Sequence, residues 1–203
     1  MPERSERKDA ALHRKLILET AQNLFDAQGV DSVSMHQIAK TAGIGQGTLY
    51  RRYSCKGDLC IDLIMESFRK FQERLDSGLE AMNGRTVRDK LSMLLSEWID
   101  YLAEKVQWMS AINTTTFRLE DKPQFYTAPP CVYMNDTLAR LIEEGAESGE
   151  VQTDDVSFAA FYILSSLTPE AILFLLKERG YTVDQLKAHY LKHHLSSLFP
   201  HRG

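Results

Sequence analysis

Between Ser34 and Lys56 the chain must stop, turn and restart a helix twice in little more than twenty residues, and this punctuation constrains its fold more than any other feature. Ser34-Met-His-Gln37 fits a capping box, in which the Ser hydroxyl takes an orphan amide of the first turn and the Gln three residues on reaches back. A short helix is expected from Met35 to Ala42, with Ile38 and Ala39 facing inward. Gly43 follows where the backbone must turn left-handed to leave that helix, which a residue with a Cβ does at a cost. Ile44 then plugs the turn, Gly45 caps a further helix from Gln46 to Tyr53, and Ser54 caps another beginning near Cys55. Two short helices joined by a tight Gly-containing turn make a helix-turn-helix.

The charge pattern of the same stretch points to a partner. The chain carries a net charge of -4, which argues against nonspecific coating of nucleic acid. Yet residues 32 to 57 hold no acid at all, while containing Lys40, Arg51, Arg52 and Lys56. At the overall frequency of 28 acids in 203 residues, about 3.6 would be expected there. A segment that avoids negative charge suits a phosphate backbone.

Helical periodicity continues on both sides, with no strand alternation. Leu16, Ile17, Ala21, Leu24 and Phe25 outline a first helix over residues 10 to 28, stopped by Gly29. Leu59 to Leu75 outline a long fourth helix that ends before Asn83-Gly84, and Thr86 opens a fifth through Leu91, Trp98 and Leu102. A sixth helical or irregular segment is expected from Val106 to Leu119, and a seventh helix from Val132 to Ser148. An eighth, Asp154 to Glu178, contains Pro169, which removes an amide donor and predicts a kink or break. Thr182 and Gln185 cap a ninth that reaches Phe199.

Several function classes are set aside by what the residues do not form. The charged first fifteen residues lack a secretory apolar stretch, and the longest apolar run, Phe158 to Leu164, is seven residues, so a soluble, cytoplasmic protein without membrane contact is expected. Cys55, Cys60 and Cys131 form neither a CxxC pair nor an even disulfide framework. His189 and His193 share a helix face four residues apart, but no acid follows in metalloprotease order. No nucleophile elbow, phosphate-cradling Gly loop or paired catalytic carboxylates occur, so no enzymatic activity, metal or cofactor is expected.

The stretch from Ile17 to Leu59, ILETAQNLFDAQGVDSVSMHQIAKTAGIGQGTLYRRYSCKGDL, resembles the DNA-binding segment of the tetracycline-repressor-like (TetR) family. The best matches are Phe25, Gly29, Ser34, Ile38-Ala39, Ala42-Gly43-Ile44, Gly47-Thr48-Leu49-Tyr50, Tyr53 and Lys56. Two positions depart from the family: Gly45 replaces a frequent capping Ser, and Gly57 stands in a first turn that is often acidic. The resemblance implies an all-α fold of about nine helices. Residues 1–57 would form the DNA-binding domain and residues 58–203 a bundle for ligand binding and dimerisation. It also implies a ligand-responsive regulator, a repressor, that binds a palindromic double-stranded operator as a homodimer and is released by an inducer; the alternative is a helical small-molecule-binding module without DNA binding.

In that frame Gln46 is the leading base reader, because its amide presents a donor and an acceptor together to adenine, and Thr48 adds a hydroxyl or a methyl. Gly47 lets the helix approach the duplex, while Ser34, His36, Tyr50, Arg51, Arg52 and Lys56 supply phosphate contacts. Leu49 and Tyr53 are expected to pack inward. The resemblance places the dimer contact on the last two helices, through Phe158, Phe161, Leu164, Ile172 and Leu175 with Leu186, Tyr190 and Leu198. It also implies a pocket for a small apolar or aromatic effector in the middle helices, lined by Trp98, Tyr101, Trp108, Met109, Asn113, Thr116, Phe117 and Tyr133.

Overall fold

The computed structural model describes residues 3–113 and 126–199, and all regular structure among them is helical. The helices are α1 (Glu3–Gln28), α2 (Met35–Thr41), α3 (Gln46–Arg52), α4 (Lys56–Ala81), α5 (Val87–Asn113), α6 (Pro129–Glu147), α7 (Val156–Ser166), α8 (Pro169–Lys177) and α9 (Val183–Leu198).

Several boundaries differ from the sequence expectation: α1 begins at Glu3 rather than near residue 10, α6 at Pro129 rather than Val132, and two later differences are larger. Helix α5 does not stop near Leu102 but continues to Asn113, because no Gly or Pro interrupts the run through Lys105, Val106 and Gln107. The expected eighth helix is two helices. Pro169 occupies the first turn of α8, where its missing N–H costs nothing, and the Thr168 hydroxyl caps that helix by accepting from the Ala171 amide at 3.2 Å. The chain bends by 41° there. No single helix among the described residues is long and apolar enough to cross a membrane.

The described residues divide into two compact units, one from residues up to 67 with 107–113 and the other from residues 68–106 with 126–199. The division falls inside α4 and near the end of α5, whereas the sequence suggested a boundary at residue 57. The reason is local: Leu59, Cys60 and Leu63, on the first turns of α4, complete the core of the first unit.

That first core gathers Ile17, Ala21 and Phe25 of α1, Ile38 and Ala39 of α2, Leu49 of α3 and Trp108 of α5. Burying a side chain the size of Leu49 or Ile38 stabilises by roughly 1.5–3 kcal/mol, and such contributions hold two seven-residue helices that could not persist alone.

In the second unit Leu91, Leu94, Ile99 and Leu102 of α5 and Met134, Leu138 and Ile142 of α6 are all fully buried. Gly145 of α6 sits so close to its neighbours that a Cβ would lie 2.5 Å from Val151 and 3.0 Å from Val87. The chain returns through this point, since the Val151 amide donates to the Gly145 carbonyl at 2.9 Å. The start of α5 is tied there too, with the Val87 amide donating to Glu150 at 2.9 Å.

Candidate nucleic-acid interface and effector site

The helix-turn-helix forms as the punctuation demands. The Ser34 hydroxyl accepts from the Gln37 amide at 3.1 Å and caps α2. The reciprocal half of the expected capping box is not made, because the Gln37 side chain donates to Gln28 at 3.0 Å and ties α2 to the end of α1. Gly43 adopts φ +67°, and Ile44 turns back so that its amide donates to the Ala39 carbonyl at 3.0 Å. Gly45 begins α3 without a side-chain cap.

Helix α3 has an inner and an outer face. Leu49 is fully buried and Tyr53 nearly so, whereas Gln46, Gly47, Tyr50, Arg51 and Arg52 are exposed and Thr48 is half-exposed. A Cβ at Gly47 would meet nothing within 4 Å, so that face is open. Arg51 donates to the Thr48 hydroxyl at 3.1 Å, which orders the two side chains together. Ser34, His36 and Lys40 are exposed on or beside α2. These residues form a polar and cationic surface with no acid between residues 32 and 57.

Lys56, at the start of α4, is half-buried. Its ammonium donates to the carbonyls of Val30 at 2.6 Å and Val33 at 3.0 Å, with Asp31 at 3.4 Å. The ammonium expected to meet a phosphate therefore also bonds backbone carbonyls of its own unit.

A second polar group, absent from the sequence reading, fixes the end of α3. Asp62 of α4 accepts from the Tyr53 hydroxyl at 2.6 Å and from Arg14 Nε of α1 at 2.9 Å. Burial alone would raise the Asp62 pKa, but the hydrogen bonds from Arg14 and Tyr53 hold it below the ordinary carboxylate range. Burial, with Asp62 as hydrogen-bond partner, pushes the Tyr53 phenol up to about 12. The three groups lie as far as 48 residues apart in the chain, and no spacing rule pairs them.

The expected effector residues separate. Trp98 and Tyr101 stack with ring centres 5.5 Å apart, and Phe68 meets Tyr133 edge-on at 5.7 Å. Phe68 and Phe71 of α4, read from sequence only as periodic core residues, complete a five-ring group drawn from α4, α5 and α6. Trp98 is 3% exposed, and its indole N–H finds no acceptor among the described residues. Trp108 and Met109 are not in this group; they pack into the core of the first unit, one helical stretch further along α5. The side chain of Asn113, and Thr116 and Phe117 entirely, lie outside the described residues.

The residues expected to mediate dimerisation also divide. Leu164, Ile172, Leu186 and Leu198 are buried within their own unit, as their periodic spacing equally allowed, and Leu175 and Tyr190 are half-buried. Phe158 and Phe161 are exposed at 65% and 44%, joined by Tyr162 and Phe174, which the sequence reading omitted. Of the histidines, His194 rather than His189 or His193 is buried, bonded to Ser166 at 2.9 Å.

Residues 17–63 match the family described as bacterial regulatory proteins, tetR family. An HTH-type transcriptional regulator of Staphylococcus aureus strain USA300 is 29% identical over 202 residues, covering 95% of this chain and 97% of the relative. A similar regulator from strain MRSA252 is 39% identical over 104 residues, 48% of this chain and 54% of its own. Two solved structures share the fold. FadR from Bacillus subtilis in complex with stearoyl-CoA has a TM-score of 0.67 at 22% identity, covering 90% of this chain and 98% of FadR. A transcriptional regulator from Saccharomonospora viridis in complex with choline has a TM-score of 0.70 at 19% identity, covering 94% and 99%.

Proposed function

We propose that this chain is a helix-turn-helix transcriptional regulator of the tetR family rather than an enzyme, and that it acts as a dimeric repressor released by a small molecule. The carrying observation is the two-faced α3: Leu49 and Tyr53 anchor it while Gln46, Gly47 and Thr48 stand at its open amino end. A recognition helix reads the major groove with residues of that end. Gln46 offers bidentate pairing to adenine, and Ser34, His36, Tyr50, Arg51 and Arg52 supply phosphate contacts that set register.

One such unit touches too few bases for useful specificity, so two copies on a palindromic operator are required. The exposed rings of Phe158, Phe161, Tyr162 and Phe174 supply the apolar area for that pairing, in the cytoplasm where the operator lies. Support for a ligand comes from the second unit. A buried Trp98 N–H without an acceptor costs about 1–3 kcal/mol, which a bound molecule with an acceptor on an apolar or aromatic body would recover. FadR and the Saccharomonospora viridis regulator were each solved with a ligand. The effector would favour a dimer arrangement whose two α3 helices no longer meet successive major grooves.

Binding of variants to a duplex enriched by the wild-type protein from a random pool tests this reading. Gln46→Ala should weaken binding by about 2 kcal/mol, roughly thirtyfold, and relax one base position per half-site. Phe158→Glu combined with Phe161→Glu should give a folded monomer with only salt-sensitive, sequence-independent binding. Full sequence-specific binding by that monomer would sink the dimeric reading.

A further inference from the structure

We infer that Asp62 of α4 is a positioning residue for base recognition: through the Tyr53 hydroxyl it fixes the angle at which α3 offers Gln46, Gly47 and Thr48. Helix α3 is seven residues long, and Leu49 is its one buried residue. It starts at Gly45 without a side-chain cap, so the end that would meet bases has no hydrogen-bonded anchor of that kind. Leu49 resists withdrawal from the core, but apolar packing is not directional and leaves the helix free to rock about that contact. The second anchor is Tyr53, the residue that closes α3, four positions on and 4% exposed. Its hydroxyl donates to Asp62 Oδ2 at 2.6 Å.

A hydrogen bond fixes its donor only as well as the acceptor is itself held. Arg14 of α1 donates from Nε to the same Asp62 oxygen at 2.9 Å and from a second nitrogen to the other oxygen, the planar fork that best orients a carboxylate. Glu66, one turn further along α4, lies 3.6 Å from the remaining Arg14 nitrogen. Helix α1, the end of α3 and α4 therefore meet at one carboxylate. Arg52, the last residue of α3, is also bonded to the Tyr53 phenol. The helix is a short lever. At 1.5 Å per residue it is about 10 Å long, so a tilt of about 10° at Tyr53 displaces Gln46 by about 2 Å. Such a shift breaks a bidentate contact to a base edge.

The inference rests on the regulator reading, and its test is a ratio: affinity for the enriched duplex over affinity for the same duplex altered at the base pair whose preference Gln46→Ala relaxes. Both affinities scale with the fraction of protein that is folded, so a merely structural loss leaves the ratio intact. Tyr53→Phe keeps the buried ring and should lower the ratio roughly fivefold, the size of one lost hydrogen bond. Asp62→Leu, which accepts nothing, should lower it at least as far, and the double variant no further than Asp62→Leu alone, because both remove the same bond. The slope of log affinity against log salt should keep its wild-type value in Tyr53→Phe, since no phosphate contact is lost. In the free protein, the Leu49 and Tyr53 amides, bonded to the Gly45 and Leu49 carbonyls, should exchange faster in Tyr53→Phe, while the Ala42 amide at the end of α2 exchanges as before. An intact ratio in Tyr53→Phe, or a loss that Asp62→Leu does not share, would overturn the proposal. A wild-type protein that enriches no duplex would break the regulator reading instead. The exchange arm then decides alone whether the Asp62 bond holds α3, and unchanged rates at Leu49 and Tyr53 would overturn it.

Discussion

Gly43 and Gly145 are the same residue used for opposite reasons, and the contrast separates the two units. At Gly43 the backbone is left-handed and a Cβ would meet nothing within 4 Å, so the requirement is conformational. At Gly145 the backbone is ordinary helix, but a Cβ would collide with Val151 and Val87, so the requirement is space. In the first unit the caps, turns and short helices of the helix-turn-helix are set by local punctuation, within a few residues of where each signal acts, although distant pairs such as Arg14 and Asp62 tie them together. The second is built by long helices whose fit depends on residues far away in sequence. What they expose differs likewise, polar and cationic groups along α2 and α3 against bare aromatic rings on α7 and α8.

Substitutions can break that contrast, and Leu49→Ala should have the largest effect. It empties the centre of the first unit for about 3 kcal/mol, lowering the thermal midpoint and abolishing duplex binding, while the proposed dimer should persist in gel filtration. Gly145→Ala should cost about 2 kcal/mol of overpacking in urea melts, and Val151→Ala introduced with it should recover part of that loss. Gly43→Ala should cost about 1 kcal/mol from the left-handed backbone alone, with no second-site rescue, because there is no neighbour to trim. If a side-chain partner rescued Gly43→Ala, or none rescued Gly145→Ala, the distinction drawn here would fail.

The smallest effect concerns acid. Asp62 is held ionised in the folded unit below the ordinary carboxylate range, so the unfolded chain takes up its proton first as pH falls. Its contribution is complete above that range and disappears as pH drops through the lowered folded value. Urea midpoints followed from pH 6 towards pH 3 should therefore converge for wild type and Asp62→Asn. Parallel curves would show that the Arg14 and Tyr53 bonds do not hold that carboxylate.

This division also explains what could be read in advance. The cap at Ser34, the turn at Gly43, the burial of Leu49 and Tyr53 and the break at Pro169 follow rules that span four residues or fewer, and all are present. The continuation of α5 was obscured because a helix without a breaker has no local end signal. Trp98 and Trp108 have similar apolar surroundings in sequence, yet ten residues along one helix carry them into different units. The Lys56 contacts and the Arg14–Asp62 pair join residues more than twenty apart, where periodicity says which side chains face inward but not which meet. Among the aromatics of α7 and α8, the same periodicity could not distinguish those that fill the unit from those left outside.

The most direct test of the central claim is selection from random duplex DNA by the purified protein at low salt, followed by sequencing. The account predicts a palindromic consensus whose half-site centres lie about one helical turn apart or a multiple of it, with adenine among the read bases. A pool that emerges without enrichment would contradict it and leave the exposed face of α3 without the partner its chemistry implies.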